Sequence, residues 1–238
     1  MRRILIVIIV FMSITVPASN FRAEGREVLL REDFVDLENW EPLHFPKITE
    51  HSEYSIEKEG GNSHLKAISD ASASAIVMKY EFNVFQFSRI RWRWKISNVF
   101  SKGDASKKSG DDYPLRVYVI FNYDPDNAAF GKKIKFELAK KIYGEYPFDS
   151  CLSYIWANRQ HDERIVSNVF ASESKLIILQ EGNTNAGVWL DQEINIIEDY
   201  HRAFGKDPPA VGRLAIMSDS DNTKESAVSF IDYIEVYR

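Results

Sequence analysis

The segment from Arg89 to Ile96 alternates strictly between cationic and apolar side chains, reading Arg-Ile-Arg-Trp-Arg-Trp-Lys-Ile. Successive side chains of a β-strand point to opposite faces of the sheet, so this pattern is typical of a strand with two different faces. It predicts that Trp92 and Trp94 lie in a core and that Arg91 and Arg93 lie on a polar surface. A sheet that contains such a strand must pack its apolar face against another layer of the fold.

Similar short apolar or alternating runs, separated by turn residues, occur along most of the chain, and twelve of them are predicted strands. They are Glu27–Leu30, Tyr54–Lys58, His64–Ser69, Ser74–Phe82, Arg89–Ser97, Leu115–Asn122, Cys151–Ala157, Arg164–Val169, Lys175–Gln180, Val188–Ile196, Val211–Ser218 and Val228–Tyr237. Strands do not alternate regularly with helices. The pattern therefore predicts an all-β fold, a two-sheet antiparallel β-sandwich of jelly-roll type with one or two short helices.

Two segments carry helical spacing instead. The run Ile197–Phe204 places apolar residues on one helical face and is followed by Gly205, which is typical of a helix end. The run Asn127–Ile142 has similar spacing but is interrupted by Gly131, and a short helix and an irregular excursion both remain open there.

The first residues resemble a secretory leader. Two arginines follow Met1, the run Ile4–Val16 is almost entirely apolar, and small residues end at Ala18. We expect a signal peptide over residues 1–18, with cleavage after Ala23 as the alternative, and a single domain over residues 19–238. A membrane anchor is the other interpretation, but the run is shorter than the ~20 residues of a spanning helix. The expected protein is exported, periplasmic or secreted, without a membrane span after leader removal.

Charge and cysteine content exclude several classes of function. The formal net charge is −5 and would become −7 without the two leader arginines, so a nucleic-acid partner is not expected. The single cysteine, Cys151, cannot form an intrachain disulfide. The five histidines show no zinc-ligand spacing, and the sequence contains neither a nucleophile-elbow serine motif nor a phosphate-binding glycine loop.

Five separated motifs occur together in this chain, at Trp92–Lys95, Gly110–Val119, Tyr154–Trp156, Glu193–Pro209 and Ala215–Thr223. In this order they resemble a family of exported bacterial proteins that is known as a domain of unknown function, numbered three thousand and forty-seven. The likeness covers nearly all of the chain after the leader. It implies export and assigns no activity or catalytic residue.

A looser resemblance concerns the two ends of the domain. The motif Asp33-Phe34 with Trp40, and the closing run Phe230–Tyr237, are similar to the first and last strands of jelly-roll carbohydrate-binding modules. By this analogy Asp33 and Asp232 are candidate ligands of a structural calcium ion, with the Glu32 carbonyl as the alternative to Asp33, and no other cofactor is expected.

The predicted strand Leu115–Asn122 places Arg116 and Tyr118 on one face, just after Asp111 and Asp112. If this strand lies beside the Arg89–Ser97 strand, the two polar faces form one surface that suits anionic or polyhydroxyl ligands. The candidate ligand-binding residues are Arg91, Arg93, Arg116, Tyr118, Asp111, Asp112, Asp219, Asp221 and Asn222. The alternative is a surface of exposed arginine–carboxylate pairs, each contributing only about 0–1 kcal/mol.

The segment Asp219–Thr223 offers closely spaced carboxylates and an amide, which are oxygen ligands that calcium prefers. It is not a helix-loop-helix calcium loop, because Lys224 occupies the position that requires glycine. The favoured interpretation is a turn whose Asp and Asn side chains satisfy local backbone groups.

These features favour an exported, non-catalytic protein that binds a glycan or another extended polar or anionic ligand, with a polysaccharide or an envelope component as partner. One alternative is a glycoside hydrolase or lyase that uses Asp191 and Glu193, two carboxylates on one strand face. The surrounding residues resemble the catalytic strand of sandwich-fold glucanases, but Asn195 and Ile196 stand near the place of the outer acid. A protein-interaction domain of the cell envelope is the other alternative.

Overall fold

A computed structural model of the protein describes residues 26–126, 130, 131, 133, 136, 137 and 148–238. Its strands are β1 (Val28–Glu32), β2 (Trp40–Leu43), β3 (Glu53–Glu59), β4 (Asn62–Asp70), β5 (Ala73–Asn83), β6 (Arg89–Ile96), β7 (Arg116–Phe121), β8 (Ser150–Ala157), β9 (Ile165–Ser167), β10 (Ser174–Glu181), β11 (Leu190–Asn195), β12 (Val211–Asp219) and β13 (Ser226–Tyr237). A short 3-10 helix (Lys108–Gly110) and helix α1 (Ile196–Phe204) complete the described elements. The predicted leader, and most of the segment 127–142, lie outside the described residues.

All twelve predicted strands are present, and β2 is an additional one. They form a six-stranded sheet in the order β11-β6-β13-β4-β3, with β1 also paired to β13, and a seven-stranded sheet in the order β2-β5-β12-β7-β8-β10-β9. All pairs are antiparallel except β8 and β10, which run parallel. The predicted all-β sandwich of jelly-roll type is confirmed.

The core lies between the two sheets and consists largely of aromatic rings. Trp92 and Trp94 on β6 are fully buried, as their alternation predicted. Trp92 packs on Tyr154 and Trp94 packs on Trp156, with ring centroids 5.6 and 5.7 Å apart. Because the two partners lie on β8, these contacts join the smaller sheet to the larger one.

Helix α1 has the ends that its sequence predicted. The Asn195 side chain accepts hydrogen bonds from the backbone N–H groups of Ile197 and Glu198, and Gly205 ends the helix with a left-handed φ of 69°. Tyr200 packs on Phe121 at 4.8 Å between ring centroids, which holds the helix against the core. No helix within the described ranges has the length and apolar character needed to span a membrane.

Candidate binding groove

Two neighbouring cavities lie on the outer face of the seven-stranded sheet. Their volumes are about 750 and 500 Å³, and Leu43, Ile120 and Phe148 line both. We refer to the two cavities together as the groove. Its outline follows β7 and β12, the paired strands near the centre of the sheet.

The floor of the groove arises from strand alternation. The outward residues of β7 and the position after it are Arg116, Tyr118, Ile120 and Asn122, and those of β12 are Arg213, Ala215, Met217 and Asp219. The predicted shared face of Arg116 and Tyr118 is therefore confirmed. Six residue steps at about 3.3 Å each give the floor a length of about 20 Å.

Aromatic rings form much of the groove's wall. Phe148 and Phe170 are 45% and 57% exposed, which is unusual for a phenylalanine, and Phe45 lines the same cavity. All three lie outside the strands. The groove thus combines apolar surface with a few polar groups, the composition of a typical ligand site.

Arg116 anchors one end of the groove, hereafter the polar end, through contacts within the protein. Its Nε donates to Asp219 Oδ1 at 2.9 Å, and its Nη2 donates to Asp219 Oδ2 and to the Asp111 backbone oxygen, the latter at 3.0 Å. Burial opposes its charge, but the Asp219 carboxylate raises the pKa of Arg116 well above its usual value. The guanidinium also lies 4.5 Å from the ring centre of Tyr113. Arg116 therefore orders the polar end and has few donors left for a ligand.

Asp112 connects the polar end to the turn after β12. It accepts hydrogen bonds from the Asn222 backbone and side-chain nitrogens at 3.3 and 2.9 Å, and from the Thr223 N–H at 2.5 Å. The expectation that the turn's own Asp and Asn side chains satisfy local backbone groups does not hold for the N–H groups of Asn222 and Thr223, because a carboxylate from a distant loop accepts from both.

The polar end is rich in carboxylates. Oxygens of Asp112, Asp219 and Asp221 lie within 4.8 Å of one another, and Asp111 lines the same cavity. Burial raises the pKa of Asp221, and the neighbouring Asp112 carboxylate raises it further. Burial also raises the pKa of Asp219 to about 8, although Arg116 opposes this shift, so four carboxyl groups at this end lie near one guanidinium.

Arg91 and Arg93 lie on the opposite side of the molecule. Strand β6 pairs with β11 and β13 in the smaller sheet, whereas β7 pairs with β12 and β8 in the larger one. The expectation that their polar faces form one surface is therefore wrong, because strands adjacent in sequence belong to different sheets. The nine candidate residues divide accordingly. Six of them line the groove, namely Arg116, Tyr118, Asp111, Asp219, Asp221 and Asn222. Asp112 does not line it but accepts a hydrogen bond from the Asn222 side chain, and Arg91 and Arg93 lie in the other sheet.

The outer face of the smaller sheet carries several arginine–carboxylate pairs. Arg91 Nε bonds Glu235 at 2.8 Å, and Arg93 Nη1 bonds Asp232 at 3.4 Å. This matches the alternative interpretation of the β6 surface. Asp33 is paired with Arg31 at 2.8 Å, so both predicted calcium ligands have arginine partners. Calcium binding by Asp33 and Asp232 stays a prediction.

Asp191 and Glu193 are exposed on the edge strand β11. Asp191 accepts a hydrogen bond from the Tyr233 hydroxyl at 3.2 Å, and Glu193 pairs with Arg89 at 3.2 Å. Neither residue lines the groove. The strand ends in Asn195, whose role is to cap α1.

Sequence reasoning missed the wall residues Phe45, Phe148 and Phe170. They lie outside regular strands, where alternation gives no information on exposure. A phenylalanine within a turn-rich segment, such as Phe45 before Pro46, was the available signal.

Residues 38–235 match a family described as a protein of unknown function, DUF3047. The chain belongs to this family. The resemblance that the five sequence motifs indicated is thereby confirmed. No curated protein matches the chain by sequence.

Several solved structures are similar to the chain at low identity. A family 11 carbohydrate-binding module from Clostridium thermocellum, in complex with a mixed-linked tetrasaccharide, is 11% identical over 89% of this chain and 95% of that chain, with a TM-score of 0.45. Endoglucanase 3 of family GH12 from Trichoderma harzianum is 8% identical over 91% and 99%, with a TM-score of 0.41. The mannan-recognising module TmCBM27 is 12% identical over 90% and 98%, with a TM-score of 0.34. Similarity at this level carries no information about a ligand.

Proposed function

We propose that this protein binds an extended glycan in the groove without cleaving it. The observation that carries the proposal is the groove itself, which runs along β7 and β12 and has exposed aromatic rings in its wall. A length of about 20 Å suits several consecutive units of a linear polymer. Flat rings such as Phe148 and Phe170 offer apolar surface for the C–H faces of sugars.

The charges at the polar end favour an uncharged glycan over a polyanion. Arg116 uses most of its donors on Asp219 and on the Asp111 backbone oxygen, so few remain for an anionic group. The carboxylates of the same end would repel sulfate or uronate groups. Tyr118, Asn122 and Asn222 supply neutral polar groups along the groove.

The proposal assigns no hydrolytic role to Asp191 and Glu193. Both lie on the outer face of the smaller sheet, away from the groove. A ligand held along β7 and β12 therefore could not place a glycosidic bond between them.

Affinity electrophoresis through gels that contain neutral or anionic polysaccharides tests the proposal. We expect at least one neutral polysaccharide to retard the protein. Phe170→Ala should weaken that binding about tenfold, equivalent to about 1.4 kcal/mol, because it removes an exposed wall ring. The matched control is Phe85→Ala, since Phe85 is 50% exposed and lies outside the groove.

Equal retardation of the Phe170→Ala and wild-type proteins would contradict glycan binding in the groove. A lack of retardation by every polysaccharide would contradict glycan binding. Release of reducing ends from a retained polysaccharide would contradict the non-catalytic part.

The predicted leader supports a protein that meets its ligand outside the cytoplasm. Mass spectrometry of the protein purified from a periplasmic fraction tests this part. We expect an N-terminus at Ser19, or at Glu24 for the alternative cleavage site. A protein that retains Met1 and remains with the cytoplasmic fraction would contradict export.

A further inference from the structure

We propose that the polar end of the groove binds a divalent cation of the calcium type through Asp112, Asp219 and Asp221. This site differs from the expected pair Asp33 and Asp232, whose carboxylates are held by arginines. The proposal is independent of glycan binding. It concerns only what the carboxylates at this end can hold.

The ligand atoms have a spacing that suits one calcium ion. One carboxylate oxygen from each of the three residues lies within 4.8 Å of the other two. Oxygens that share one calcium ion at about 2.3–2.6 Å lie at most about 5 Å apart. The three side chains can therefore reach a single ion without a change of backbone. Their donors are all oxygens, which favours a hard cation over zinc.

Two buried oxygens beside these carboxylates lack hydrogen-bond partners. Asp111 is only 5% exposed and lines the cavity, and its Oδ2 accepts a hydrogen bond from Asn168 Nδ2 at 2.9 Å. Its Oδ1 accepts none, and the Arg116 Nη1 atom lies 3.9 Å from it. Thr223 donates its N–H to Asp112, and its own buried hydroxyl has no partner. Buried polar groups are normally satisfied, so these two oxygens are available to a bound cation.

The carboxyl groups at the polar end also favour a cation by their charge. Asp111, Asp112 and Asp219 are almost fully buried, whereas Asp221 is partly exposed. Within the described part of the chain, Arg116 is the one cation that forms an ion pair with any of these four carboxylates. Buried charges in proteins are paired or coordinate metals, and a divalent cation would stabilise the ionised carboxylates. Asp219, Asp221 and Asn222 also line the groove.

Calorimetric titration of the chelator-treated full-length protein with calcium chloride tests the proposal. We expect saturable binding by the wild-type protein. Asp221→Asn should weaken it about tenfold or more, because the change removes one ligand charge. Asp221 is partly exposed, and its carboxylate accepts a long hydrogen bond of 3.5 Å from Asn222 Nδ2, so the variant should keep its fold.

Asp232→Asn is the matched control, and we expect it to bind calcium with unchanged affinity. As a second measurement, calcium should raise the melting temperature of the wild-type protein more than that of Asp221→Asn. Unchanged calcium affinity in Asp221→Asn would overturn the proposal, as would the absence of saturable binding by the wild-type protein. Loss of binding in Asp232→Asn alone would also overturn the proposal, because it would place the calcium site on the smaller sheet.

Discussion

Residues of one type play different roles in this protein, and their surroundings decide which. Arg116 and Arg89 both occupy alternating positions of a strand and both pair with a carboxylate. Arg89 and Glu193 are nearly half exposed, so water weakens their attraction. Arg116 and Asp219 are buried, and neither can lose its partner without leaving a charge in the protein interior.

The first prediction compares these two arginines. Arg116→Met should lower the free energy of unfolding by about 3–5 kcal/mol, because it leaves the Asp219 carboxylate buried without its cation. Arg89→Met, the control, should lower it by less than about 1 kcal/mol. Urea denaturation monitored by tryptophan fluorescence measures both. Similar losses in the two variants would show that burial does not distinguish the pairs.

The second prediction concerns acid stability and Glu235. Burial raises the pKa of this carboxyl, but hydrogen bonds from Arg91 and Arg31 outweigh burial and hold its pKa below the usual range. A carboxyl with a lowered pKa in the folded state stabilises the protein above its ordinary pKa, and this contribution is lost as the pH falls. The wild-type free energy of unfolding should therefore decrease as the pH drops below about 5.

Glu235→Gln removes this titration and should show a shallower decrease over the same pH range. Glu193→Gln changes an exposed carboxylate of the same sheet and serves as the control. Urea denaturation at a series of pH values gives the slopes. A slope in Glu235→Gln as steep as that of the wild-type protein would mean that other groups cause the acid sensitivity.

At the level of single elements, local pattern predicted most of the structure. Alternation located twelve strands, because a strand between core and solvent needs a two-residue period. The pattern missed β2, whose four residues include Pro42 and are too few to show a period. It correctly placed Asn195 on the same strand as Asp191 and Glu193, and the structure shows in addition that its side chain caps the helix that follows. Alternation describes only the strand, so it could not indicate this second role.

The third prediction tests that cap. Asn195→Ala should lower the free energy of unfolding by about 1 kcal/mol, because the N–H groups of Ile197 and Glu198 lose their acceptor. In a domain of this size the melting temperature should fall by about 2–4 °C. Asn195→Asp keeps an acceptor oxygen and should retain most of the stability. Equal melting temperatures for the alanine variant and the wild-type protein would contradict the capping role.

The arrangement of the whole molecule was the part that sequence could not supply. Strand order depends on contacts between distant segments, and here β13 lies between β4 and β6 while β12 lies between β5 and β7. Asp112 and Asn222 form a hydrogen bond beside the groove although they are 110 residues apart in the chain. The sequence therefore predicted the candidate residues of the larger sheet one by one. Only the fold shows that they are separated from Arg91 and Arg93.

The fourth prediction follows from this separation of the two outer faces. Arg93→Ala combined with Asp191→Asn alters the smaller sheet, where both residues are partly exposed, and should leave the retardation by a bound polysaccharide unchanged. Tyr118→Ala alters the groove floor and should weaken the same binding about tenfold, because it removes both a ring and a hydroxyl from the centre of the groove. Affinity electrophoresis of the two variants beside the wild-type protein gives the comparison, and circular dichroism confirms that both keep their sheets. Because the core separates the two faces, loss of binding in the first variant alone would place the ligand on the smaller sheet and leave the groove without a role in recognition.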